Sequence, residues 1–293
     1  MFDESFSRWK YWQPWPTWRG SRSYVLCKSG GIVAHGAVMP LQLDVDGAER
    51  TLLHPFDWAA EPSALGAGAL LLQRLLRLAD GMLIMGGSEM TQRMAGPLGF
   101  RRDEDVLRHA APPSPSPPGS STLEMRAVPS RDWAPPIDRA PSPGPAVLRA
   151  HRSPAFLDVL RLCPVVAIDC FLVLVGGAPL GGFAWALAPG QVRILDSWCR
   201  SPEAGAWSRV LAGARRLAHE RAPTCEVVCL ANTPVEREAL AGAGFVACGG
   251  LPVFCRTTPR GLLEGSRLRL QMIDGDAAFL HHGAPESWLS QHA

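Results

Sequence analysis

Eleven prolines fall between Ala111 and Pro145, in runs such as Pro112-Pro113-Ser114-Pro115-Ser116-Pro117-Pro118-Gly119. Each lacks an amide hydrogen and holds φ near about −65°, so neither a helix interior nor a central strand is expected there. The pattern predicts a mostly extended linker over 104–150, between an N-terminal domain over 1–103 and a C-terminal domain over 151–293. A chain of 293 residues has the length of about two domains. With 47% hydrophobic residues it has apolar material for two cores, which excludes wholesale disorder. Lys plus Arg number 29 and Asp plus Glu 27, a net charge of +2, so there is no bulk attraction to a polyanion and no nucleic-acid partner is expected.

The two flanks carry elements in the same order. In the first, Ser23–Lys28 reads as a strand, Ser29-Gly30-Gly31 as a turn and Ile32–Leu43 as a returning strand. Asp46-Gly47 is a hairpin signal, and Arg50–Trp58 is a third strand. A helix is expected from Glu61-Pro62-Ser63 onward, with its apolar body at Ala69–Leu78. Met82–Met85 is a short buried strand, Ser88 caps a helix to about Ala95, and Leu98-Gly99-Phe100 closes the segment. In the second flank, Phe171–Val175, Leu180–Leu187 and Gln191–Trp198 are strands, followed by a helix over Ala206–Arg221. Then come a strand at Cys225–Leu230, a helix opened by Asn232-Thr233-Pro234, and Gly244-Phe245. Asp57 precedes the first Gly-Phe by 42 residues, and Asp196 precedes the second by 48. Two copies of one α/β unit are the economical explanation; chance recurrence of α/β punctuation is the alternative.

The glycine turn Ala64-Leu65-Gly66-Ala67-Gly68-Ala69 lies between a strand and a helix. Such a turn lets backbone approach an anion, and the helix start offers amides and a positive dipole end. It is not a dinucleotide fingerprint, because Leu71 stands at the third glycine's place, and no Gly-Lys-Ser/Thr exists for a P-loop. Close helix–sheet packing is the competing explanation of the glycines.

Together these features resemble the GNAT superfamily of acyl-CoA-dependent N-acyltransferases. The resemblance spans roughly residues 20–102 and, more faintly, 165–256. It rests on a hairpin leading to a strand that ends Asp57-Trp58-Ala59-Ala60, on Ser63–Gly68 as a form of the pyrophosphate motif Q/R-x-x-G-x-G/A, and on a strand–helix unit ending Gly99-Phe100. It implies an α/β fold with a mixed sheet: two GNAT-like domains in tandem, the second degenerate. By position, the amides of Leu65, Gly66, Ala67, Gly68 and Ala69 would hold the pyrophosphate of acetyl-CoA or another acyl-CoA. Trp58 and Ala59 would run beside the pantetheine arm, and the gap after that strand would admit the thioester. The sequence departs from the family at Ser63, in place of Gln or Arg. It departs again at Ala95 and Leu240, where many members carry a tyrosine that protonates the leaving thiolate; the chain has only Tyr11 and Tyr24, neither in position. The second copy keeps Gly205 alone, with Glu203 and Trp207 around it, which argues against CoA there.

An amine that attacks a thioester must lose a proton, and a carboxylate near the gap can take it. Asp57 and Glu61 are the catalytic candidates, with Asp196 in the second copy; loop ordering and helix-dipole roles compete. Ser88 is a candidate contact to cofactor or acceptor, against a plain N-cap role. The expected activity is acyl transfer, N-acetyl first, to a small-molecule or peptide amine. A non-catalytic binding protein on the same fold is the alternative.

Trp9, Trp12, Trp15 and Trp18 recur every three residues and are expected to pack over a domain edge, with Pro14 and Pro16 breaking helix. His281-His282 lack partners at ligand spacing, and no metal is expected. Arg267–Met272 reads as a strand that could join the second domain. The N-terminus lacks an apolar signal core, and there is no C-x-x-C. The apolar run Cys170–Val192 is broken by Gly176-Gly177-Ala178-Pro179, so no membrane span is expected and a membrane-associated factor is the weakest reading. Buried free thiols and a cytoplasmic location follow as expectations.

Overall fold

The computed structural model describes residues 3–117, 122–133, 146–258, 261–276 and 287–290. In chain order its elements are α1 (Glu4–Trp12), β1 (Ser23–Lys28), β2 (Gly31–Val45), β3 (Ala48–Ala60), α2 (Ala67–Leu75), β4 (Gly81–Met85), α3 (Glu89–Ala95), β5 (Arg101–Ala111), β6 (Leu123–Val128), β7 (Ala146–Arg149), α4 (Pro154–Arg161), β8 (Ala167–Val175), β9 (Ala178–Ala188), β10 (Gln191–Cys199), α5 (Ala204–Arg221), β11 (Glu226–Ala231), α6 (Pro234–Gly242), β12 (Val246–Thr257) and β13 (Ser266–Arg269). They form two units. The first holds Met1–Asp105, Pro141–His151 and Leu251–Leu268; the second holds Val106–Ala140, Arg152–Gly250 and Arg269–Ala293.

In the first unit the sheet order is β1-β2-β3-β4-β12. Ser29-Gly30 and Asp46-Gly47 have positive φ at both positions, as two-residue hairpin turns between right-twisted strands require. β3 and β4 run parallel, joined through α2. The apolar face of α2, Leu71, Leu72 and Leu75, packs on Val38, Leu53 and Met82 of the sheet. α1 is capped by Asp3, buries Phe6, Trp9 and Lys10, and ends at Trp12, ahead of Pro14. The prolines stop this helix without preventing it. Of the N-terminal tryptophans, Trp9 and Trp15 are buried and Trp12 is exposed.

In the second unit the sheet order is β5-β11-β10-β9-β8-β6. The apolar run from Cys170 crosses β8, turns at Gly176-Gly177 (both positive φ) and returns as β9. Phe171, Phe183 and Trp185 from this hairpin stack within the core under α5. Among the described residues no helix is long and apolar enough to cross a membrane. All eight cysteines are free thiols, six of them buried.

Three expectations are corrected. The span 104–150 is more than a linker: it carries most of β5, all of β6 and all of β7. Prolines crowd the stretch after Ala111, but the charged and apolar residues on either side are free to pair. Domain limits of 1–103 and 151–293 therefore give way to discontinuous units. Val253–Thr257 of β12 pairs with Met85–Gly81 in the first unit, and Leu107–Ala111 of β5 pairs with β11 in the second. α2 begins at Ala67, six residues after Glu61, because Ala64 and Ala67 close tight turns on Glu61 and Ala64 before the helix starts. β13 pairs with β7 in a separate two-stranded sheet. His281-His282 lie outside the described residues.

Phe254 is 7% exposed and packs in the first unit's core although it lies late in the chain. Phe254→Ala should lower stability by about 3–4 kcal/mol and weaken hydrogen-exchange protection of Met82–Met85. Unchanged protection at β4 would mean that β12 does not complete that core.

Candidate functional site

β3 and β4 hydrogen-bond over two rungs only, Leu52↔Gly81 and Leu53↔Met82. β3 then continues to Ala60 without β4 beside it. At the parting, the buried His54 donates from Nδ1 to the Leu83 carbonyl at 3.0 Å. The imidazole thus pairs a β4 group that the parted strand leaves behind, and this fixes its tautomer.

The parting coincides with a β-bulge. β2 and β3 shift register between His35 and Ala37, so two residues, Asp57 and Trp58, oppose Gly36 alone. Asp57 has φ of 48°. Among the described residues two other non-glycine residues have positive φ, Ser29 and Asp46, and both are in hairpin turns. Left-handed backbone in mid-strand costs about 1–3 kcal/mol and persists only where neighbours hold it. Here Lys10 Nζ and the Tyr11 hydroxyl each lie 2.6 Å from Asp57 Oδ2. His35 Nδ1 donates to the Asp57 carbonyl at 3.2 Å, and its Nε2 accepts from Ser23 Oγ at 3.1 Å. Lys10 is buried among Phe6, Tyr11 and Phe56, its ammonium 5.1 Å from the Phe56 ring centre.

Trp58 points to the opposite face, where its indole nitrogen donates to the Gly68 carbonyl at 3.0 Å. This ties the outer end of β3 to the first turn of α2. Gly66, at φ 80°, is the left-handed residue before the helix. A Cβ on Gly68 would come within 3.1 Å of the Trp58 indole nitrogen, so that glycine is also a packing requirement. No side chain caps α2, and Leu70 makes the first helical bond, back to Gly66. The amides of Gly68 and Ala69 therefore have no intrahelical acceptor. Ala67 differs from expectation, because its amide is used in a turn to Ala64. An uncapped helix start is an anion-receptive arrangement.

The other candidates are placed apart from this cluster. Glu61 is exposed, its backbone amide bonded to Val33. Ala59 is exposed and pairs with His35, and Leu65 is almost fully exposed. Ser88 caps α3, accepting from the Thr91 amide at 3.3 Å. Lys10, Tyr11, His35 and His54 were missed by sequence reasoning. The one available signal was the polar pair Lys10-Tyr11 at the end of an apolar helix face.

The second unit repeats the parting. β10 and β11 pair from Gln191↔Glu226 to Ile194↔Cys229, and β10 bulges against β9 between Ile194 and Asp196. Here the chain itself fills the gap. Ser197 donates its amide to Gln271 Oε1 at 2.6 Å and accepts at its carbonyl from Arg269 at 2.7 Å. Gln271 also donates to Glu236 at 2.6 Å, and the Leu270 amide to Asn232 at 2.9 Å. The Arg269 guanidinium lies 4.8 Å over the Trp207 ring. The residual cavity, bordered by Ser197, Trp207, Cys229 and Gln271, is about 10 Å³, at the size of one water. Asp196 is fully buried and bound to Arg152 at 2.6 Å, and Arg152 bonds Asp274 at 2.7 Å. Burial alone would lower the Arg152 pKa, but Asp274 and Asp196 hold it above its ordinary value. Asp196 is thus a structural carboxylate.

Neither a family profile nor a curated protein matches the sequence. Solved structures do match. A GCN5-related N-acetyltransferase from Anabaena variabilis aligns over 84% of this chain and 65% of its own, at 14% identity and TM-score 0.58. One from Kribbella flavida aligns over 84% and 62%, at 12% and 0.56. A protein from Enterococcus faecalis described as a probable N-acyltransferase aligns over 83% and 64%, at 14% and 0.53. The chain spans a little under two thirds of the length of these proteins. It has the fold of the GNAT acyltransferases, with two GNAT-like α/β units in tandem.

Two outcomes follow from the second unit. Arg152→Leu leaves two buried carboxylates without their cation and should cost about 3–5 kcal/mol in urea unfolding. His109, on β5, has its pKa lowered to about 4 by burial and then by Arg237, against a smaller opposing effect of Glu236. A histidine depressed in the fold takes up protons first in the unfolded chain. Stability should therefore fall as pH drops from about 6.5 toward 4, and His109→Gln should flatten that slope.

Proposed function

We propose that this chain is an acyl-CoA-dependent acyltransferase, acetyl being the first acyl group to test, acting on an amine acceptor. The first unit carries the reaction. The observation behind the reading is the parting of β3 from β4, with a strained carboxylate at the bulge and an uncapped helix start on the same strand's far end. The Gly68 and Ala69 amides would meet the pyrophosphate, and the arm would follow β3 past Trp58. Asp57 is the candidate base for the amine proton. Glu61 and Ser88 have weaker claims, the first exposed in a turn and the second engaged as a cap. The second unit binds no acyl-CoA in this reading, because Arg269 and Gln271 occupy its gap. A small molecule or a peptide could supply the amine.

A non-catalytic ligand-binding protein is the second reading. Two facts favour it: Ala95 stands where the family's tyrosine would, and Trp58 accounts for Gly68 by packing alone.

Thermal unfolding with acetyl-CoA tests the cofactor site. Ligand at about 100 times Kd should add about 2.7 kcal/mol, and calorimetric titration should count one molecule per chain. Ala69→Glu places a negative charge in the first turn of α2, where it favours the helix but repels a phosphate. The variant should unfold no earlier than the wild type and lose the ligand shift. No shift in the wild type at millimolar acetyl-CoA would overturn the reading. Binding with no acyl transfer to any amine would favour the second.

A further inference from the structure

The parting of β3 from β4 has a closed end, and His54 stands at it. Leu53↔Met82 is the last rung that pairs. The next residue, His54, is 2% exposed and reaches across the opening, its Nδ1 donating to the Leu83 carbonyl at 3.0 Å. Both faces of the sheet are filled at this level. Leu53 and Met82 lie in the core under α2 with Leu72 and Leu75. On the other face Met39 of β2, directly opposite His54, is buried, and so is Leu83.

The open end is fixed as well. Trp58 bonds the Gly68 carbonyl at 3.0 Å, in the first turn of α2 where the Gly68 and Ala69 amides lie. His54 stands four positions before Trp58 on β3. A pantetheine arm has about thirteen chain atoms from phosphate oxygen to sulfur, the reach of about four strand residues at about 3.3 Å each. An arm laid along β3 from the start of α2 therefore brings its sulfur to the level of His54. Carbons beyond the sulfur then meet the imidazole and the closed rung. We infer that His54 is the specificity residue of this site: its imidazole is a floor that admits a short acyl group, acetyl or propionyl, and rejects longer chains. The inference rests on the acyl-CoA reading of the first unit. The bond to Leu83 holds the ring across the opening, and burial on both faces leaves it no second position to swing into.

The test is calorimetric titration of the full chain with CoA, acetyl-CoA and hexanoyl-CoA. CoA and acetyl-CoA should bind with similar Kd. Hexanoyl-CoA should bind about 10- to 100-fold more weakly, the loss expected when methylenes are forced against a packed core. In an open slot the added methylenes would bind as well or better. His54→Ala removes the floor and should bring hexanoyl-CoA to within a few-fold of acetyl-CoA, with the Kd for CoA itself unchanged. His54→Asn is smaller than histidine yet keeps an amide that can donate to Leu83, so it should shift the ratio the same way if the alanine variant unfolds. Thermal unfolding shows which variants are folded. A merely structural role for His54 would weaken all three ligands alike and leave their ratio unchanged. Hexanoyl-CoA binding as tightly as acetyl-CoA in the wild type overturns the floor, and so does an unchanged ratio in a folded variant. The wild-type series needs no substitution, so it decides alone if neither variant folds. Absence of CoA and acetyl-CoA binding in the wild type overturns the reading beneath.

Discussion

A parallel strand pair that separates leaves main-chain N–H and C=O groups without their ladder partners, and such groups are costly when buried. Both units are organised by that constraint. Each has a bulge that turns one strand away from its parallel neighbour, and each must satisfy what the separation exposes. In the first unit His54 takes the Leu83 carbonyl, and Trp58 closes the far end against Gly68. In the second, Gln271 and Arg269 bond both main-chain groups of Ser197. The two solutions differ. One pairs the Leu83 carbonyl with a side chain of the departing strand; the other completes the polar set with a segment from late in the chain.

The charged residues follow the same division. Asp57 and Asp196 stand at corresponding bulges, yet their surroundings assign them different work. Asp196 is sealed with Arg152 and Asp274, an arrangement in which each charge needs the others and none reaches solvent. Asp57 keeps part of its side chain exposed while Lys10 and Tyr11 hold Oδ2. The strained backbone at Asp57 is maintained by contacts from α1 and from His35, so the N-terminal helix supports the bulge as well as covering the sheet.

Local features were legible in the sequence because their physics is local. Asp46-Gly47 and Gly176-Gly177 specify turns by tolerating positive φ, whatever surrounds them. Ser88 caps α3, and Thr233 with Glu236 forms a reciprocal cap on α6. The strand–helix order of both copies was readable from hydrophobic periodicity and turn signals; the GNAT fold came from the resemblance that the glycine turn and the Gly99-Phe100 ending carry. The start of α2 was not, because a Pro-Ser pair after a glutamate resembles a helix start while turn bonds at Ala64 and Ala67 delay it. Proline density suggested a linker, since it marks where strands cannot continue but says nothing about Arg101–Ala111 or Leu123–Val128 beside it.

By itself, then, the sequence determined the turns, the caps, the alternation of strands and helices, and the glycines at the start of α2. Each depends on torsional preference or periodicity within a few residues. Tertiary structure alone decided which strands complete which sheet, that Lys10 and Tyr11 meet Asp57, and that Arg269 and Gln271 close the second gap. Those contacts join residues from 35 to more than 150 positions apart, as with Gln271 and Glu236 or β4 and β12. Their energies come from pairing buried polar groups and filling a core, quantities that exist only once the chain has brought distant segments together.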